Sequence, residues 1–116
     1  MSDFGVTWGT TASYVLVTVT GEVDMDTAPA MENSLMQAAD RASRAVPVVV
    51  DLSGVGFLGS AGINAMINCH HRCTADGSMF IVAAPRRSVA RVLRITAIDT
   101  VLTVVAQLPG VAVNPS

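Results

Sequence analysis

The sequence predicts a single α/β domain, a mixed β-sheet with helices packed against it, in the element order ββαβαβαβ. Three observations predict it. Two β-branched runs at the start of the chain are separated by a short polar stretch; Val46 to Leu52 is a continuous apolar run; and helical and strand-like periodicities alternate from there to the end. With 116 residues the chain can build one core but not two domains and a linker. Half of its residues are apolar and 14% are charged, a balance that favours a compact core over disorder.

Phe4 to Trp8 and Tyr14 to Thr20 flank the polar stretch Gly9 to Ser13, as in an antiparallel hairpin. Gly21 then leads into an acidic turn, Glu22 to Asp26. Met31, Leu35, Ala38, Ala39 and Ala42 follow with the period of a helix buried on one face, with Thr27 placed to cap it and Pro29 tolerated in its first turn. Val46 to Leu52, with its valine triplet, reads as a strand buried on both faces at the centre of the sheet. A glycine-rich loop, Gly54 to Gly59, leads to Ser60 at a helix N-cap position, and Ile63, Met66, Ile67 and His70 fall at helical spacing behind it. Asp76-Gly77 marks a turn, Met79 to Ala84 an inner strand, Pro85 its end. A helix with Val89, Val92, Leu93 and Ile95 precedes a last strand, Val101 to Ala106, and the alternation implies parallel strands with helical crossovers. The domain is expected to occupy residues 1–108, and 109–116 to form a frayed tail.

Composition excludes several functions. A net charge of −2 gives no field for nucleic acid. All seven basic residues are arginines, which rules out a Schiff-base lysine, a Walker A lysine and a Ser-Lys dyad. No apolar run approaches the roughly 18 residues of a membrane span, and Met1-Ser2-Asp3 lacks the positive start of a signal peptide, so the expected compartment is the cytoplasm. Cys69 and Cys73, four apart in a helix, read as two small buried side chains.

Gly54, Gly56 and Gly59 spell GxGxxG between a strand and a helix, the context of a dinucleotide fingerprint. The motif follows the third strand rather than the first, and the next strand ends at Ala84-Pro85-Arg86 without the acidic residue a ribose requires, so no nucleotide cofactor is expected. His70, His71 and Cys73 could ligate a metal, but neighbouring helical residues point about 100° apart, and no metal site is expected. Arg87, Arg91 and Arg94 form a basic stripe at i, i+4, i+7, read as a solvated helix face that could dock an acidic partner. No Ser, His and Asp set has a nucleophile-elbow context, so no catalytic residue is assigned and enzyme activity is not expected.

A broader likeness covers residues 5–106. Gly21-Glu22-Val23-Asp24 after the second strand, and Asp51-Leu52-Ser53-Gly54-Val55-Gly56-Phe57-Leu58-Gly59-Ser60-Ala61-Gly62-Ile63, resemble the signatures of the STAS family. In that family the loop runs as an apolar pair, then Asp-Ser-Ser/Thr-Gly and an aliphatic residue; Phe57-Leu58 and Gly62-Ile63 match, whereas Gly59 replaces Asp and Ala61 replaces Ser or Thr. The family commonly adds a final amphipathic helix, where this sequence has only Leu108 to Ser116, so part of the sheet is expected to be left for a partner.

The chain is most similar in these features to the anti-sigma factor antagonists. That resemblance implies a phosphoacceptor at Ser60 and a partner-binding surface of Glu22, Asp24, Phe57, Leu58, Gly59, Ser60, Ala61, Gly62 and Ile63. It implies as partner an anti-sigma factor, a serine kinase of the histidine-kinase-like ATPase type, with a serine phosphatase resetting the modification. Read without the resemblance, Ser60 is equally an ordinary helix cap. The alternative within the family is a STAS subunit of a membrane lipid transporter, bound to its ATPase subunit.

Overall fold

A computed structural model describes residues 3–110. Strands β1 (Gly5–Thr10) and β2 (Val15–Val23) are followed by α1 (Ala28–Arg41), β3 (Val48–Leu58), α2 (Ser60–Asp76), β4 (Phe80–Ala83), α3 (Arg87–Ile95), a 3₁₀ turn (Ile98–Thr100) and β5 (Thr103–Val105). The five strands lie side by side in sequence order, β1 antiparallel to β2 and the rest parallel. This is the predicted ββαβαβαβ α/β domain with its mixed sheet and central third strand. The expected tail, 109–116, lies outside the described residues from 111 onward.

Strand side chains alternate between faces, and one face carries Val15, Val17, Val19, Val48, Val50, Leu52, Phe80 and Val82 into a single buried cluster. The same cluster takes Met31, Leu35 and Ala38 from α1, Met66, Cys69 and Cys73 from α2, and Val89 and Leu93 from α3. All three helices therefore cover one face, which is what right-handed crossovers produce when strands follow one another in a single direction. α1 and α2 run side by side and parallel: Cys69 Sγ contacts the Leu35 carbonyl, Asn68 the Glu32 carboxylate, and Arg72 pairs with Asp40 as well as with Asp76. Their N-termini consequently emerge at the same end of the molecule. Trp8 fastens the hairpin to α1, donating from Nε1 to Gln37 Oε1 at 2.8 Å while the Arg41 guanidinium lies over its ring.

Three local expectations are corrected. The predicted glycine loop, Gly54 to Gly59, is strand through Leu58, because β2 offers a parallel partner to residue 58 and two register irregularities absorb the mismatch. Gly54 is required by packing rather than by a turn: a Cβ there would come within 2.8 Å of Thr20 Cγ2. Gly54 and Gly56 therefore form no phosphate-cradling loop. The acidic turn begins later than expected, since Glu22 and Val23 still belong to β2 and the turn proper is Asp24 to Thr27. The last strand is reduced to three residues, with Val101 in the turn before it.

Candidate functional site

The two sequence segments singled out above, far apart in the chain, meet at the carboxyl ends of β2 and β3. Parallel pairing sets Glu22 against Phe57 and Val23 against Leu58, and the Gly59 N–H donates to the Val23 carbonyl at 2.9 Å. The backbone then turns into α2. In open parallel sheets this end is where ligands and partners are met, because loops and helix N-termini converge there.

Gly59, extended at φ −89° and ψ 177°, is the N-cap, and Ser60 is the first helical residue, one place beyond its expected position. The difference bears on its chemistry. An N-cap serine spends its hydroxyl on a first-turn N–H, whereas the exposed Ser60 hydroxyl has no hydrogen-bond partner among the described residues. Beside it the Phe57 ring is 53% exposed and lies across Gly59, where an added Cβ would stand 3.2 Å from Phe57 Cε2. On the far side of Phe57, Arg86 Nη1 donates to the Val55 carbonyl at 3.1 Å.

Not every residue of the expected binding surface reaches that surface. Leu58 and Ile63 turn into the core, Leu58 as the last of the buried positions Leu52, Val55 and Leu58 of the irregular end of β3 and Ile63 on the inner stripe of α2. Gly62 is buried too: a Cβ there would stand 2.5 Å from Val23 Cγ1 and 2.8 Å from Leu58 Cδ1, so glycine lets α2 start hard against the sheet. These three shape the platform. Glu22, Phe57 and Ser60 are its exposed chemical groups, with Gly59 and Ala61 half-buried between them.

Asp24 has an internal task. Its Oδ1 accepts from the Asp26 N–H at 2.9 Å and the Thr27 N–H at 3.1 Å, fixing the turn that launches α1. Thr27, expected as a cap, turns its hydroxyl back to the Glu22 carbonyl at 2.9 Å instead. Asp24→Ala is expected to cost about 1 kcal/mol, the worth of a lost helix-start carboxylate, whereas Glu22→Ala should leave stability within about 0.5 kcal/mol. Urea denaturation of the two variants measures the difference.

The remaining candidates do not join this site. The Cys69 and Cys73 side chains are buried within the helical layer. The Cys69 thiol, which points to the Leu35 carbonyl at 3.6 Å, is pushed up by the neighbouring Cys73 and by burial; Cys73 is pulled down to about 7 by Cys69 and Ser78. The rings of His70 and His71 are tilted 49° to each other, and among the described residues no three His, Cys, Asp or Glu side chains converge as a metal site would require. Arg87, Arg91 and Arg94 are exposed on α3, and none forms an ion pair among the described residues. No helix among the described residues is long and apolar enough to cross a membrane.

Comparison with known proteins places this geometry in context. A family model described as "Mlab, STAS domain" matches residues 7–106. An anti-sigma factor antagonist from Mycobacterium paratuberculosis superposes with a TM-score of 0.80 at 26% identity, over 91% of this chain and 88% of the other. An anti-sigma-factor antagonist (STAS) domain protein from Planctomyces limnophilus gives 0.71 at 20% identity, over 85% and 87%. The Bacillus cell fate determinant SpoIIAA in its phosphorylated form gives 0.61 at 16% identity, over 88% and 90%.

Proposed function

This chain belongs to the STAS domain family, and from that premise we propose that it acts as an anti-sigma factor antagonist. It works in the cytosol by binding rather than by catalysis. Unmodified, it engages an anti-sigma factor through the platform of Glu22, Phe57 and Ser60 and thereby frees a sigma factor. Phosphorylation of Ser60 by that partner, an ATP-dependent serine kinase, ends the engagement, and a serine phosphatase restores it.

The observation that carries this reading is the Ser60 hydroxyl, exposed and without a partner among the described residues, at the start of a 17-residue helix whose other face is core. A phosphoserine there carries roughly −1.5 to −2 charges at neutral pH and meets the positive end of the helix, so the domain itself accepts it. A partner surface packed over the same point does not, because the dianion would have to be stripped of water. The phosphorylated form known for one structural neighbour is consistent with such a cycle.

The test is incubation with ATP and a histidine-kinase-like anti-sigma factor, then peptide mass spectrometry across residues 53–72. Phosphate on Ser60 is the expected result. A stable complex in which only other residues are modified would remove the switch.

A second reading rests on Gly59 and Ala61, which replace the acidic and hydroxyl residues usual in the family loop. It makes the chain a STAS subunit bound to the ATPase of a membrane lipid transporter, with Ser60 unmodified. Binding to a transporter ATPase and none to the kinase would favour it.

A further inference from the structure

A helix on the surface of a domain normally buries one stripe and presents polar residues elsewhere. α1 departs from this. Its inner stripe is Met31, Leu35, Ala38 and Ala39, yet Pro29, Glu32 and Met36, spaced i, i+3 and i+7, form a second stripe on the flank that faces α2, and Met25, in the turn before the helix, continues it. Met25 is 81% exposed. Across from this stripe α2 presents only Ala61 and Asn64, and the small side chains leave an open trough of about 560 Å³ that begins beside Ser60.

The trough selects its occupant. It lies between two helices rather than along a strand, so it offers no sheet edge, and an extended segment laid there would find no ladder of partners for its own N–H and C=O groups. A helix brings those groups satisfied. Pro29 to Met36 spans about 10 Å at helical rise, two turns of an incoming helix, and the methionines at either end of the trough adapt their shape to what packs on them. Charge completes the selection. Glu32 stands in the wall, and Asp24 and Asp26 stand at the N-terminal end. None of the seven arginines lines the trough: Arg41 lies over Trp8, Arg72 is held by Asp40 and Asp76, Arg44 follows α1, and the other four fall in residues 86–94.

We propose that the α1/α2 trough seats an amphipathic helix of the partner, with apolar anchors between Met25 and Met36 and a basic residue opposite Glu32. The proposal rests on the binding reading above and gives the partner a second point of attachment. Glu32 sits level with Asn68, which its carboxylate accepts from at 3.4 Å, eight residues beyond Ser60 and thus about 12 Å along α2. That exceeds the screening length of about 8 Å at physiological salt. Phosphate at Ser60 therefore acts on the contact around Phe57 and leaves the attraction at Glu32 nearly unchanged.

The test uses methionine-methyl NMR of the full chain, titrated with a short synthetic helix bearing leucines on one face and arginines on the other. Saturable shifts confined to the methyls of Met25 and Met36 are expected. Binding should fall about fivefold with Glu32→Gln and about tenfold when glutamates replace the peptide's arginines. Asn64→Arg, on an exposed wall position, should fill the trough and also weaken binding about tenfold. Equal shifts with both peptides, or shifts spread over α3 and the sheet, would overturn the proposal. The kinase-type anti-sigma factor separates the two readings. Equal affinity for the wild type and Asn64→Arg would refute the trough and spare the proposed function. No binding at all would refute the function, and the peptide titration would then decide the trough.

Discussion

Ser60→Glu is expected to weaken binding to the anti-sigma factor roughly a thousandfold, while Ser60→Ala keeps it within a few-fold of wild type. The size follows from where the charge lands. A carboxylate on the first residue of α2 projects beside the exposed Phe57 ring, at the point the proposed partner would cover, and that partner's approach would strip it of water at a cost of several kcal/mol. About 4 kcal/mol is three orders of magnitude in affinity. Glu22, across the β2–β3 pairing from Phe57, adds like charge of the same chain rather than relief. The fold should be indifferent, because the side chain is exposed and an acidic group is favoured at a helix start. Calorimetric titration of both variants, with thermal melts alongside, separates the loss of binding from any loss of structure. Equal affinities would mean that no partner covers Ser60.

Gly21→Ala should cause the largest loss of stability among single-methyl additions, about 3 kcal/mol, with a fall in Tm of roughly 10 °C. Gly21 has φ +86°, a conformation that costs any other residue, and a Cβ there would lie 2.7 Å from both the Cα and the nitrogen of Phe4. Those are backbone atoms and cannot swing aside as a side chain can. The position also sits at one of the irregularities that let β2 follow β3 to its end, so strain there reaches the pairing of Glu22 with Phe57. Gly77 is the control. It has nearly the same dihedral, φ +79°, with open space around it, and Gly77→Ala should lose only the conformational part, about 1 kcal/mol. Chemical denaturation of the pair isolates the clash; equal losses would show that the hairpin yields.

Much of this was readable from periodicity. The α1 core stripe, the two-sided burial of Val48 to Val50 and the left-handed stop at Gly77 follow from spacing and from residue types with one dominant conformational habit. Gly54 and Gly56 were not readable in this way. A glycine run between a strand and a helix signals a loop to any local reading, and only the presence of Thr20 on the neighbouring strand makes glycine a requirement of the sheet. The place of Ser60, one residue inside the helix, depends on Gly59 continuing an extended backbone held by the Val23 carbonyl.

The amino-acid sequence alone determined the order of the elements, the residues of the core and the two segments that carry the family likeness, since each of these is written in local spacing. Tertiary structure decided which of those residues face outward. Leu58, Gly62 and Ile63 hold the platform from beneath, Glu22, Phe57 and Ser60 form it, and Asp24 is occupied with the turn. It also decided that Met36 on α1 and Met25 in the turn before it border a trough rather than a core. Exposure is a property of what packs across from a residue, and a neighbour brought in from thirty or more positions away leaves no mark on local spacing.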